Sequence, residues 1–96
     1  MDISIEFIGF PILYDIFPEG PSPYAYDGNT VAQLLDQLIA KGDTLVRESL
    51  LDPGMGSIDP AIQVMINGKF LEKEKFRERR LDKGDSVTVM RLLAGG

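Results

Sequence analysis

Apolar and polar positions alternate along Asp2 to Gly9, with Ile3, Ile5 and Phe7 on one side and Ser4, Glu6 and Ile8 on the other. A period of two marks a strand with one buried face, so this stretch is predicted to be β. The next run, Phe10 to Phe17, is apolar but bounded by Pro11 and Pro18, and it reads as an irregular packed segment. "PEGPSP" reads as a turn region, because its prolines lack the N–H that a ladder or helix needs. Tyr24 to Tyr26 is predicted as a second short strand, ended by Asp27-Gly28.

The period then changes to that of a helix. Val31, Leu34, Leu35, Leu38 and Ile39 form one apolar stripe at i, i+3, i+4, i+7 and i+8. Thr30 with Gln33 makes a capping-box pattern, in which each side chain satisfies the other's free backbone N–H. Lys41 and Gly42 supply the cation and the left-handed residue that suit a helix end. A shorter helix is predicted over Thr44 to Leu50 with Asp43 as N-cap, stopped by "DPGMGSIDP". Ile62, Val64 and Ile66 restore strand alternation, Asn67-Gly68 is a two-residue hairpin turn, and Lys69 to Leu71 is the return strand. "EKEKFRERR" has no sustained apolar period and is read as surface anchored by Phe76 and Leu81. Asp82 to Asp85 turns the chain into a last strand, Ser86 to Leu92. The order strand, strand, helix, short helix, strand, strand, strand predicts an α+β domain over residues 1–96, with the main helix crossing one face of a mixed sheet.

Composition narrows what such a domain does. The chain of 96 residues has no cysteine and no histidine, which removes disulfides, thiolate and imidazole metal ligands and the usual near-neutral acid–base group. A net charge of −5 argues against a nucleic-acid backbone and for a partner with a basic docking face. Asp2 and Glu6 stand where a signal peptide is basic and then apolar, and no apolar run approaches a membrane span. A cytoplasmic protein without a membrane or nucleic-acid partner is therefore expected.

The remaining candidate sites have plain readings beside sharper ones. Gly54-x-Gly56 lacks the third glycine and the Lys-Ser/Thr of a phosphate loop, and Asp52 and Asp59 do not match a calcium-loop spacing, so a loop is expected and no metal. The run Glu72 to Arg80 is read as a solvated connection, with a docking edge for an acidic patch as the alternative. If Val87 and Val89 face the helix, Thr88, Met90 and Leu92 share the opposite, uncovered sheet face. The alternative, a register one residue off, places them in the core. On the uncovered face methionine gives an adaptable apolar contact surface.

The sequence closes on "VTVMRLLAGG", a strand followed by a short apolar linker and Gly95-Gly96. Accidental glycines at a frayed end are one reading. The other is a bare carboxylate on a stalk narrow enough to enter a channel that excludes side chains. With "ISIEFIGF", "GNTVAQLLDQL", "VMINGKF" and "LDKGDSVTVMRLLAGG", the chain resembles the ubiquitin-like sulfur carriers, which include the small subunit of molybdopterin synthase and the sulfur carrier of thiamine thiazole synthesis. Two features depart from that pattern: a longer stretch from Gly42 to Pro60, and Arg91-Leu92 where the molybdopterin type often has two prolines.

The resemblance implies a β-grasp fold and a carrier with no catalytic side chains of its own, serving as a non-catalytic subunit of a synthase. It implies that a ubiquitin-activating-type adenylyltransferase, using ATP and magnesium, adenylates Gly96. Sulfur then replaces AMP, and the thiocarboxylate passes to the large subunit of molybdopterin synthase or to thiazole synthase. Molybdenum or tungsten pterin synthesis is the expected pathway, with thiamine, protein modification through an isopeptide bond, or a plain β-grasp interaction module as alternatives. The carrier itself holds no stable cofactor. Gly95, Ala94 and Leu93 form the stalk of a flexible tail, 93–96. Ordering that tail costs about 4–8 kcal/mol at ~1–2 per residue, so a body surface around Met90, Leu92 and Phe70, with Arg91 beside them, is expected to dock the partner by burying roughly 800 Å².

Overall fold

The computed structural model describes residues 1–14, 17, 20–41, 44–52 and 58–91. Its strands are β1 (Asp2–Ile8), β2 (Ser22–Ala25), β3 (Ile62–Ile66), β4 (Lys69–Leu71) and β5 (Ser86–Arg91), with helices α1 (Val31–Lys41) and α2 (Thr44–Leu50). They form a 5-stranded sheet in the order β2-β1-β5-β3-β4. β1 and β5 pair in parallel at the centre, and the flanking pairs are antiparallel. The mixed sheet with its main helix is the expected α+β architecture.

The strand alternation divides the sheet as the sequence predicts. Ile3, Ile5 and Phe7 of β1, Ile62, Val64 and Ile66 of β3, and Val87 and Val89 of β5 are all buried. Val31, Leu34, Leu35 and Leu38 of α1 join them in one core cluster, and Ile39 packs against it partly buried. Phe76 and Leu81 are buried anchors of an otherwise exposed segment.

The start of α1 shows how local and distant groups combine. Thr30 Oγ1 accepts the Gln33 N–H at 3.3 Å, and Gln33 Oε1 accepts the Thr30 N–H at 3.2 Å, completing the capping box. The other free amides are met from elsewhere: Val31 N–H donates to the Arg79 carbonyl at 3.0 Å and Ala32 N–H to the Phe76 carbonyl at 2.9 Å. The charged run Glu72 to Arg80 therefore caps the main helix with its backbone and anchors itself through Phe76, while most of its charged side chains face water. The expected caps at Gly42 and Asp43 lie outside the described residues.

Two expectations need correction. β2 begins at Ser22 and takes in Pro23, inside the stretch read as a turn. It is tolerated there because β2 is an edge strand, whose outer side has no ladder partner to lose. Tyr26, expected to end that strand, lies just past it: its N–H donates to the Met1 carbonyl at 2.8 Å and its hydroxyl to the Thr30 carbonyl at 2.7 Å. The apolar run after β1 is also more regular than expected, since Pro11–Leu13 forms a 3-10 turn that buries Leu13.

Candidate functional site

Residues on β5 that do not face the helix set the character of the sheet's open face. Thr88 and Met90 are half-buried while Val87 and Val89 are 0% exposed, so Met90 belongs to the uncovered face and the register that would place it in the core is excluded. Strand register supplies its neighbours. Met90 lies opposite Ile8 of β1 and Gln63 of β3, and Thr88 lies opposite Glu6 and Met65. Met65 in turn lies opposite Phe70 of β4. Phe70 is 65% exposed and Ile8 41%, large apolar side chains left in water on a face that the described helix α1 does not cover.

The face is graded along the strands. Its far end, where β5 begins, is polar: Ser4 lies opposite Ser86, and the hairpin turn is clasped to the β5 entry. Asn67 donates its side-chain amide to Asp85 Oδ1 at 3.0 Å and accepts the Ser86 N–H at 2.8 Å. Burial raises the Asp85 pKa, but the hydrogen bonds from Asp82 and Asn67 and the charge of Arg79 outweigh it and hold it below its ordinary value. The near end, where β5 leads to the tail, carries Ile8 and Met90. Ile8 and Met90, beside Gln63, thus put exposed apolar surface at the C-terminal end of β5, the arrangement wanted if docking must offset the cost of ordering a threaded segment.

Of the expected docking residues, the structure brings Met90 and Phe70 onto one face, joined through Met65 and Thr88. Leu92 lies outside the described residues, as do Leu93, Ala94, Gly95 and Gly96. Arg91 sits differently: it has the parity of Val89, and its guanidinium pairs with Asp59 at 3.1 Å. Ile8 and Met65 complete the surface. Ile8 was legible as an apolar residue on the polar side of β1, in phase with Ser4 and Glu6. A cavity of about 230 Å³ adjoins Phe70, lined also by Pro60, Ile62, Gln63 and Lys73.

Among the described residues no group of three or more His, Cys, Asp or Glu could hold a metal ion. No described helix is long and apolar enough to cross a membrane. The positions Gly54 and Gly56 of the weak phosphate-loop pattern lie outside the described residues.

A small mixed sheet grasping one main helix is a β-grasp, ubiquitin-like architecture. The ThiS family model matches residues 24–96, and the chain belongs to this family of ubiquitin-like sulfur carriers. Its members are small carrier proteins and not enzymes themselves. SAMP1 from Haloferax volcanii is similar in structure, with a TM-score of 0.71 at 18% identity over 100% of both chains. Small archaeal modifier protein 1 from Methanosarcina acetivorans has a TM-score of 0.72 at 17% identity, covering 99% of this chain and 96% of its own. A chain of the Amycolatopsis orientalis BexX/CysO complex has a TM-score of 0.66 at 18% identity, covering 98% of this chain and 99% of its own. These likenesses establish the β-grasp fold. No curated protein sequence matches the chain.

Proposed function

We propose that this protein carries sulfur as a thiocarboxylate on Gly96. The observation that carries the reading is the family match, which runs from Tyr24 through the tail to Gly96. A carboxylate is unreactive toward sulfur nucleophiles because its leaving group would be oxide. Activation solves this: a Gly96 carboxylate oxygen attacks the α-phosphorus of magnesium-bound ATP and expels pyrophosphate. A sulfur nucleophile then attacks the acyl carbon and expels AMP. ATP, magnesium and the catalytic groups belong to the adenylyltransferase, while the carrier supplies the acyl group on the stalk Leu93-Ala94-Gly95. The Ile8–Met90–Met65–Phe70 surface is the docking face for that enzyme, a cytoplasmic one.

For the sulfur acceptor, the sequence resemblance points to the large subunit of molybdopterin synthase, and the family match brings thiazole synthase level with it. Protein modification is a second reading, favoured by the likeness to proteins described as small archaeal modifiers. Incubation with the host's activating enzyme, ATP and sulfide, followed by mass analysis of the C-terminal peptide, tests the carrier reading. Replacement of one oxygen by one sulfur is the expected result. Delivery of that sulfur to each synthase in turn assigns the pathway, and an isopeptide-linked lysine in place of the sulfur product establishes the modifier.

A further inference from the structure

Arg91 ends β5, and contacts from separate parts of the chain converge on it. Its backbone lies opposite Ile62 of β3. Gly9, just beyond β1, passes so close to the Arg91 carbonyl that a Cβ there would lie 2.6 Å from the oxygen. Its guanidinium reaches Asp59 Oδ2 at 3.1 Å. Asp59 is itself immobilised: Oδ1 accepts the Ala61 N–H at 2.9 Å, its own N–H donates to the Leu50 carbonyl at 2.9 Å, and its carbonyl accepts the Ile62 N–H at 3.0 Å.

The pair is poorly placed to hold the fold together. The Arg91 side chain is 41% exposed, and ion pairs open to water add little stability because solvent screens them. The turn at Asp59 is made by its backbone and by Oδ1, which do not need Arg91. What the second carboxylate oxygen adds is a side-chain contact to Arg91, the last residue of β5. Residues 92–96 span at most about 17 Å when extended, so a shift of Arg91 moves the point from which Gly96 must reach a partner's site. Reaction rates fall steeply for misplacements of about 1 Å.

We propose that Asp59 is a positioning residue for the tail. Acting through Arg91, with Gly9 behind the carbonyl, it sets the direction in which Leu92 to Gly96 leave the sheet. The Leu51–Ile58 bridge lies next to Asp59 in the chain, and Asp59 meets the end of β5 through Arg91. The inference rests on the carrier reading above.

The test is ATP–pyrophosphate exchange by the cognate activating enzyme, with wild-type, Asp59→Asn and Arg91→Gln carriers. Asp59→Asn retains the Oδ1 acceptor for Ala61, so its melting temperature should stay within about 2 °C of wild type. In both variants kcat should fall about tenfold while the Kd for the enzyme changes less than twofold. The double variant should be no worse than either single one, since both break the same link. Unchanged kcat overturns the proposal, as does a loss that tracks melting temperature. A rise in Kd for Arg91→Gln with Asp59→Asn silent makes Arg91 a direct contact and also overturns it. No exchange with wild type, from an enzyme that activates its own established carrier, removes the carrier reading and this inference together.

Discussion

Gly9 and Arg91 approach each other so closely that any side chain at position 9 would collide with the Arg91 carbonyl, 2.6 Å from the first side-chain carbon. Gly9 also has φ +85°, a conformation that costs an L-residue strain. Gly9→Ala should therefore destabilise by about 2–4 kcal/mol, the sum of backbone strain and overpacking. Gly68 is the control: it shares the strain at φ +83° but has nothing within 4 Å of its added carbon. Gly68→Ala should cost about 1 kcal/mol. Chemical denaturation of both variants gives the difference, and equal losses would show that the contact at Arg91 relaxes freely.

Asp85 gives a pH-dependent prediction. Its pKa is below the ordinary carboxylate value in the folded state, because hydrogen bonds and Arg79 outweigh burial. The stability it contributes is therefore fully present above the unfolded pKa and lost as pH falls through the folded one. Asp85→Asn turns an amide donor toward the Asp82 N–H that Oδ2 now accepts at 2.8 Å. It should cost about 1 kcal/mol at neutral pH. That gap should close as pH drops below about 4. Paired denaturation curves across this range check the closing, and a constant gap would show that the charge is not what matters.

These two sites also show where sequence reading succeeds and stops. Helix α1 was legible from end to end of its stripe because periodicity and the Thr30–Gln33 box are both local signals. The hairpin at Asn67-Gly68 was legible for the same reason, and both residues have the positive φ that the turn demands. The open face followed from alternation in β5, since parity alone separates Met90 from Val89. The start of β2 was missed because a proline's tolerance depends on edge position, which is a property of the assembled sheet. Gly9 looked like a strand end, and Asp59 like a loop carboxylate. Their relation to Arg91 depends on the tertiary path of intervening chain, and no period in the sequence encodes it.

Neighbouring positions on β5 should separate binding from stability. Met90→Glu places a charge on the half-buried apolar surface at the end of β5 and should weaken binding to the activating enzyme about tenfold or more. Its melting temperature should change little, because the side chain stays in contact with water. Val89→Ala should do the reverse, costing about 2 kcal/mol of stability through lost core burial. Its affinity, corrected for the folded fraction, should match wild type. Calorimetric titration and thermal melts on the two variants read both quantities. A Met90→Glu protein that melts far lower yet binds as well would place the docking surface elsewhere.

The tail should carry the chemistry without carrying the fold. Among the described residues the buried core is drawn from the strands, the helices and their connections, with Val89 as its last member in the chain. Deleting Gly96 should accordingly leave the melting temperature unchanged within error while abolishing pyrophosphate exchange, since the reacting carboxylate would sit one residue short of the activating site. Gly95→Val tests the channel separately from reach. A β-branched side chain adds bulk and restricts the backbone, and both oppose passage through a slot shaped for glycine. Exchange should fall by about two orders of magnitude, with the Kd for body docking preserved, because catalysis depends on close placement of the reacting atoms. Gly95→Ala, smaller and less restricted, should fall between the two. Rates that are equal for valine and glycine at position 95 would mean that the tail is not threaded, and the surface around Met90 would then serve a partner other than an adenylating enzyme.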